Sequence, residues 1–204
     1  MVSGNLEKAS DRSAWARVAS AALVALLVAG CGGGPPPATF DISAPREGLR
    51  ARPGSALIVV AEPSALAALD TNRLIVMTRG SGIAYLPDAQ WADRLPKLLQ
   101  VRLIQTFENA KRITGVGRPG DRLLPAAQVN SEIRRFGIDE ASGEAVIELS
   151  VKIVNDRSGR IVAGNIFTRR TPAGGANGPT AAAALDLATQ EILRDIVSWV
   201  SSRI

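Results

Sequence analysis

The hydrophobic positions along this chain change period several times, and each change marks an element. Residues 18–29 form an almost unbroken apolar run. At about a dozen residues it is too short for a spanning helix, which takes about 20. Residues 39–43 alternate in the manner of a short strand. Residues 55–61 (S-A-L-I-V-V-A) are a β-branched run bounded by Pro53-Gly54 and Pro63, the pattern of a buried strand. A short apolar helix or turn is expected over 63–70, and strands over 73–78 and 83–86. Arg79-Gly80-Ser81-Gly82 is the turn that makes those two strands an antiparallel hairpin. Over 88–110 the period becomes helical, with Trp91, Leu95, Leu98, Leu99, Leu103 and Phe107 in one apolar stripe. Pro96 fits only a first turn, so the regular helix starts near Leu95, with Asp93 as its candidate cap.

Residues 113–116 are expected as a short strand and 117–121 as a turn, and 123–138 alternate imperfectly. Strong strands follow over 145–154 and 160–168, joined at 155–159. Val146, Glu148, Ser150 and Lys152 fall on one face, and Ile147, Leu149, Val151 and Ile153 on the other, which predicts a sheet with one wet and one buried face. Residues 169–177 are a Gly/Pro loop. A helix over 179–201 carries the stripe Leu185, Ile192, Leu193, Ile196, Val197 and Val200, with Trp199 either in the core or at its edge. Neither helix is apolar all round, so both must cover the same sheet face. The fold class is α/β (α+β): one compact domain with a mixed, mostly antiparallel sheet and two main helices packed on one face.

Composition narrows the chemistry. The chain has 24 Lys+Arg against 19 Asp+Glu and a net charge of +5. The excess is scattered and aromatics are few, so no stacking platform for nucleic acid is present. The absence of histidine removes the usual general base, the usual zinc ligand and the Ser-His-Asp triad together. No phosphate-binding or dinucleotide glycine fingerprint occurs. No cofactor is expected. Glu144 and Glu148 share a strand face, but about 13 Å apart, too far for a paired-carboxylate site.

The single cysteine, Cys31, follows Val28, Ala29 and Gly30 directly after the apolar run, with Lys8, Arg12 and Arg17 upstream and Glu7 and Asp11 among them. Small residues before an obligatory cysteine suit a lipoprotein signal peptidase, and the thiol would carry diacylglycerol and then an N-acyl chain. The alternatives are an ordinary cleaved signal peptide with a chance cysteine behind it, and a short membrane anchor. The expected organisation is a lipoprotein signal peptide over 1–30, a lipidated, Gly/Pro-rich tether with a short opening strand over 31–53, and one domain over 54–204. Gly32, rather than Asp, follows the cysteine. That favours the periplasmic side of the outer membrane over the inner membrane.

Several segments together resemble the ABC-type transport auxiliary lipoproteins that accompany MCE-type (mammalian-cell-entry) lipid transport systems. They are the lipobox and proline-bearing tether, Phe40-Asp41-Ile42, the strand leading into Glu62-Pro63, and Asn72-Arg73-Leu74-Ile75-Val76. Ile83-Ala84-Tyr85-Leu86 with Gln90-Trp91-Ala92-Asp93-Arg94-Leu95-Pro96 is the most specific, and the closing helix ends Ile196-Val197-Ser198-Trp199-Val200. The resemblance implies a non-catalytic component that helps an MCE-domain protein move lipid or other apolar molecules between membranes. It also implies a membrane attachment through the lipid, and homo-oligomers that match ring-forming partners. A scaffold of another envelope machine, in lipopolysaccharide assembly or secretion, is the alternative. Tyr85 and Trp91 are candidates for partner or lipid contact because each joins an apolar body to a polar tip. The other reading is that they lock the hairpin onto the helix. Arg169 and Arg170 are candidates for acidic headgroups or an acidic partner, against a reading as solvated loop charge.

Overall fold

A computed structural model describes residues 36–46, 56–110, 113–175 and 177–204. Residues Pro37–Ile204 form one compact unit, and every element below belongs to it. The Val28–Cys31 segment and residues 32–35 of the tether lie outside the described residues. The strands are β1 (Ala38–Phe40), β2 (Leu57–Val60), β3 (Ser64–Ala65), β4 (Arg73–Met77), β5 (Ile83–Trp91), β6 (Gly115–Gly117), β7 (Ala127–Asp139), β8 (Glu144–Asn155) and β9 (Ile161–Pro172). The helices are α1 (Leu95–Ala110) and α2 (Gly178–Ser201).

One mixed sheet holds all nine strands. Its spine is β7, long enough to pair with β2, β3 and β4 in succession along one edge, all parallel, and with β8 antiparallel along the other. β9 pairs antiparallel with β8 and makes that outer edge. β4–β5 is the expected hairpin, with Met77 opposite Ile83. α1 and α2 join one apolar core with the inward side of the sheet, from Ile42 through Trp91 and Phe107 to Val200.

Four local expectations are corrected. Residues 88–91 are strand rather than helix, because β1 pairs in parallel with Ala89–Trp91 and holds them extended. Residues 169–172 are strand rather than loop, because β8 extends its ladder as far as Glu144 opposite Pro172. In the 63–70 segment Ser64–Ala65 pairs with Glu132–Ile133, and only the following residues turn. Asp93 is not the cap of α1. The Leu98 N–H donates to the Arg94 carbonyl at 2.9 Å, so Arg94 holds the cap position. The Asp93 carboxylate instead accepts the Arg94 N–H at 2.8 Å and pairs with Lys97 at 2.7 Å. α2 has a true side-chain cap, since Asn177 Oδ1 accepts the Thr180 N–H at 3.1 Å.

The wet face is less wet than alternation predicts. Glu148 and Lys152 are open to solvent in part or whole, but Val146 and Ser150 are buried. Each sits between neighbours on both flanking strands: Ser150 between Glu132 and Ile166, Val146 between Gly137 and Arg170.

Gly137 is required where β4 meets β7. A Cβ there would lie 2.7 Å from the Ile75 carbonyl oxygen and 3.0 Å from Ile75 Cγ2. The nearest obstacle is backbone, so β4 itself would have to move. Gly137→Ala should therefore destabilise the fold by about 1–3 kcal/mol, the usual range for overpacking. A lowered denaturant midpoint at unchanged slope checks it, and an unchanged midpoint would mean that β4 yields freely.

Candidate functional site

The residues singled out in the sequence do not converge. Tyr85 is half-buried on β5, where its hydroxyl donates to the Ala68 carbonyl at 3.3 Å and the Arg73 guanidinium lies 4.1 Å over its ring. Trp91 closes β5 with only 2% of its surface exposed, in an edge-on contact with Phe136 at 6.0 Å between centroids. Arg169 lies on β9 and pairs with Asp195 and Glu191 of α2, which fastens that helix to the sheet edge. Arg170, its neighbour on the strand, faces the other side and pairs with Glu144 at 3.1 Å. Glu148 lies 3.8 Å from Arg134. The two carboxylates thus serve two separate arginines. Trp199 stands at the core's edge, packed edge-on against Phe167 at 5.6 Å with the Arg203 guanidinium 4.7 Å over it.

Tertiary packing builds a polar groove that no local pattern in the sequence announces. It lies between the segment following β1, α1 and α2, with a volume of about 850 Å³. Arg102 of α1 pairs there with Asp41 and donates to Gln105 Oε1 at 2.8 Å. Ser43 donates its N–H to Asp186 of α2 at 2.6 Å, and Asn109 donates to the Pro45 carbonyl at 3.0 Å. The Nε atoms of Arg102 and Arg194, which both line the groove, are buried without a hydrogen-bond partner. The groove offers charge pairing and hydrogen bonds. Its members stand far apart in sequence, on faces of α1 and α2 that read as ordinary solvated surface.

A second charged cluster, Glu62, Asp70, Asp93 and Arg94, lies at the start of α1. Arg94 grips Asp70 with two hydrogen bonds, at 2.8 and 2.7 Å, and reaches Glu62 at 3.4 Å. The hydrogen bond and charge of Asp70 raise the Arg94 pKa above its ordinary value. The hydrogen bond from Lys97, then that from the Arg94 N–H, lowers that of Asp93. Both side chains reach solvent, which screens their charges, so this network orients the chain into α1 more than it stabilises the fold. Among the described residues no group of three or more Asp, Glu, His or Cys could hold a metal ion. No helix among them is long and apolar enough to cross a membrane.

Comparison with known proteins bears on the whole unit. The sequence pattern of the ABC-type transport auxiliary lipoprotein component matches residues 39–197. An uncharacterized protein of Bradyrhizobium diazoefficiens is 34% identical over 173 residues, 82% of this chain and 46% of that protein. The chain therefore spans a little under half the length of that relative. The crystal structure of protein XCC0632 from Xanthomonas campestris superposes with a TM-score of 0.71 at 24% identity, covering 81% of this chain and 96% of that one. The hypothetical protein CT253 from Chlamydia trachomatis superposes with a TM-score of 0.50 at 13% identity, covering 74% and 98%. These two likenesses concern the fold.

Proposed function

The chain belongs to the ABC-type transport auxiliary lipoprotein family, and from that premise we propose that it is the non-catalytic adaptor of an MCE-type system that moves lipid or other apolar molecules between the membranes of a bacterial envelope. The observation that carries this reading is the extent of the family match, residues 39–197, nearly the whole of the unit Pro37–Ile204. An adaptor works through surfaces and through its position, and both have counterparts here. Among the described residues the charged groups form scattered pairs and line a polar groove, and no convergent acid, base or nucleophile set is seen among them. Cys31 would carry the acyl chains that hold the protein on the periplasmic face of the outer membrane, an address favoured by Gly32. The Gly/Pro stretch over 32–37 would serve as spacer between lipid and domain.

Crosslinking in intact cells followed by mass spectrometry tests the proposal. The expected product joins this chain to the periplasmic part of an MCE-domain protein. Deletion of the gene should also weaken the envelope's barrier to detergents or apolar compounds, or impair uptake of such a compound. Recovery of lipopolysaccharide-assembly or secretion components, with no MCE-domain protein among them, would replace this reading with that of a scaffold for another envelope machine.

A further inference from the structure

One end of the sheet gathers exposed apolar side chains and exposed arginines. β7 starts where β8 ends, with Ala127 opposite Asn155. The Asp156 N–H donates to the Ala126 carbonyl at 3.3 Å, so the loop over 118–126 and the turn over 155–160 lie side by side. Leu124 is 94% exposed, Ile161 62%, Val162 55% and Leu123 38%.

Both loops are braced. In the first, Asp121 Oδ2 accepts the Arg118 N–H at 2.7 Å and the Ala126 N–H donates to the Leu57 carbonyl at 2.8 Å. Leu123 folds back over Gly117 so closely that a Cβ on that glycine would overlap it. In the second, Asn155 Oδ1 accepts both the N–H and the hydroxyl of Ser158 at 3.0 Å. Arg118, Arg122, Arg157 and Arg160 are exposed here. Among the described residues none of these four makes an ion pair, which is also true of Arg46, Arg73, Arg79, Arg194 and Arg203; what sets the four apart is that they are all exposed on two adjacent loops beside exposed apolar side chains. Of the aspartates nearby, Asp121 is already turned to a backbone N–H.

We propose that this end is the docking surface for a protein partner whose contact face is an apolar pocket rimmed by carboxylates. Resting on the transport reading above, that partner is the periplasmic MCE-domain protein of the same system. A protruding leucine fits a concavity, and a braced loop loses little conformational freedom when it enters one. Arginine presents a planar fork that pairs carboxylates bidentately, and an apolar centre with a charged rim is the usual anatomy of a protein interface. The site lies at the far end of β7 from the strands through which the chain enters the unit. The chain enters the unit at β1, which pairs with the end of β5, and β5 joins the sheet through β4 at Ile138–Asp139 of β7. Ile138 and Ala127 are eleven residues apart along β7, or roughly 36 Å.

The test uses the full-length acylated protein in intact cells, with a photoreactive amino acid at Leu124, at Ile161, or at Leu187, an exposed position on α2. Adducts with the MCE-domain protein should form at Leu124 and Ile161 and be at least about tenfold weaker at Leu187. In a second arm, purified full-length Leu124→Asp and the double variant Arg122→Glu/Arg160→Glu should bind the purified MCE-domain protein at least about tenfold more weakly, with unchanged melting. Wild-type binding should weaken as salt rises. MCE adducts at Leu187 but not at Leu124 would overturn the surface and leave the transport reading standing. Leu124 adducts to phospholipid alone would overturn the protein partner in favour of the bilayer. Leu124 adducts to a different envelope protein, lost in the Arg122→Glu/Arg160→Glu variant, would overturn the MCE assignment and keep the surface.

Discussion

Replacing Trp91 with alanine will destabilise the fold by about 3–5 kcal/mol, the range for deleting a large buried aromatic. The ring is 2% exposed and meets Phe136 of β7 edge-on, with an interplanar angle of 80°. It also sits at a junction. Its backbone N–H donates to the Asn72 carbonyl at 2.6 Å, its strand partner is Phe40 of β1, and α1 begins four residues on. The cavity would open where β1, β4, β5 and the start of α1 come together, none of which can close it without breaking register. Against a typical total stability of about 5–15 kcal/mol this is a large fraction. A denaturant melt of the full-length protein measures it. Trp91→Phe keeps an aromatic edge for Phe136 and should lose less, which keeps the comparison readable if the alanine variant does not fold. A melt unchanged in the alanine variant, together with loss of complex formation, would instead make Trp91 a contact residue.

The second large effect is all or none. Cys31→Ser should abolish acylation and leave unprocessed precursor in the inner membrane. Lipid transfer needs a thiolate nucleophile, and a serine hydroxyl does not supply one. The loss is large because each buried CH₂ of an acyl chain contributes about 0.8 kcal/mol, and two or three chains hold a protein firmly where one does not. Metabolic labelling with a fatty-acid analogue decides it. Label retained in the serine variant would refute Cys31 as the attachment site. The Trp91 and Cys31 variants also separate two causes of lost transport, since the first should destabilise the domain without touching the attachment site and the second should misplace a folded one.

The elements were legible wherever local pattern and tertiary context agree. The stripe from Leu95 to Phe107 gave α1, and the stripe from Leu185 to Val200 gave α2. The alternation over 145–154 gave β8 to within a residue at each end. Failures came where a strand is held by a partner far away in sequence. Residues 88–91 carry no strand signal of their own, since Pro87 and Asp88 sit at their start; they are extended because residues 38–40 pair with them. Arg169 and Arg170 read as loop because Pro172 and two glycines follow, yet the ladder with β8 runs past them.

The sequence by itself determined the fold class and the family, and it holds one cysteine, the candidate for lipid attachment. Those depend on period, order and the position of one cysteine, all of which are local or one-dimensional. Only the tertiary structure decided which polar groups meet. Arg102 and Asp41 are separated by 61 residues yet pair across the groove, and Arg169 reaches Asp195 across 26. The same holds for the end of the sheet where Leu124, Ile161 and four arginines gather. A lone exposed leucine or arginine is unremarkable in a sequence. A surface appears only when the register of β7 and β8 brings two loops together, and pairing register depends on contacts that no local window contains.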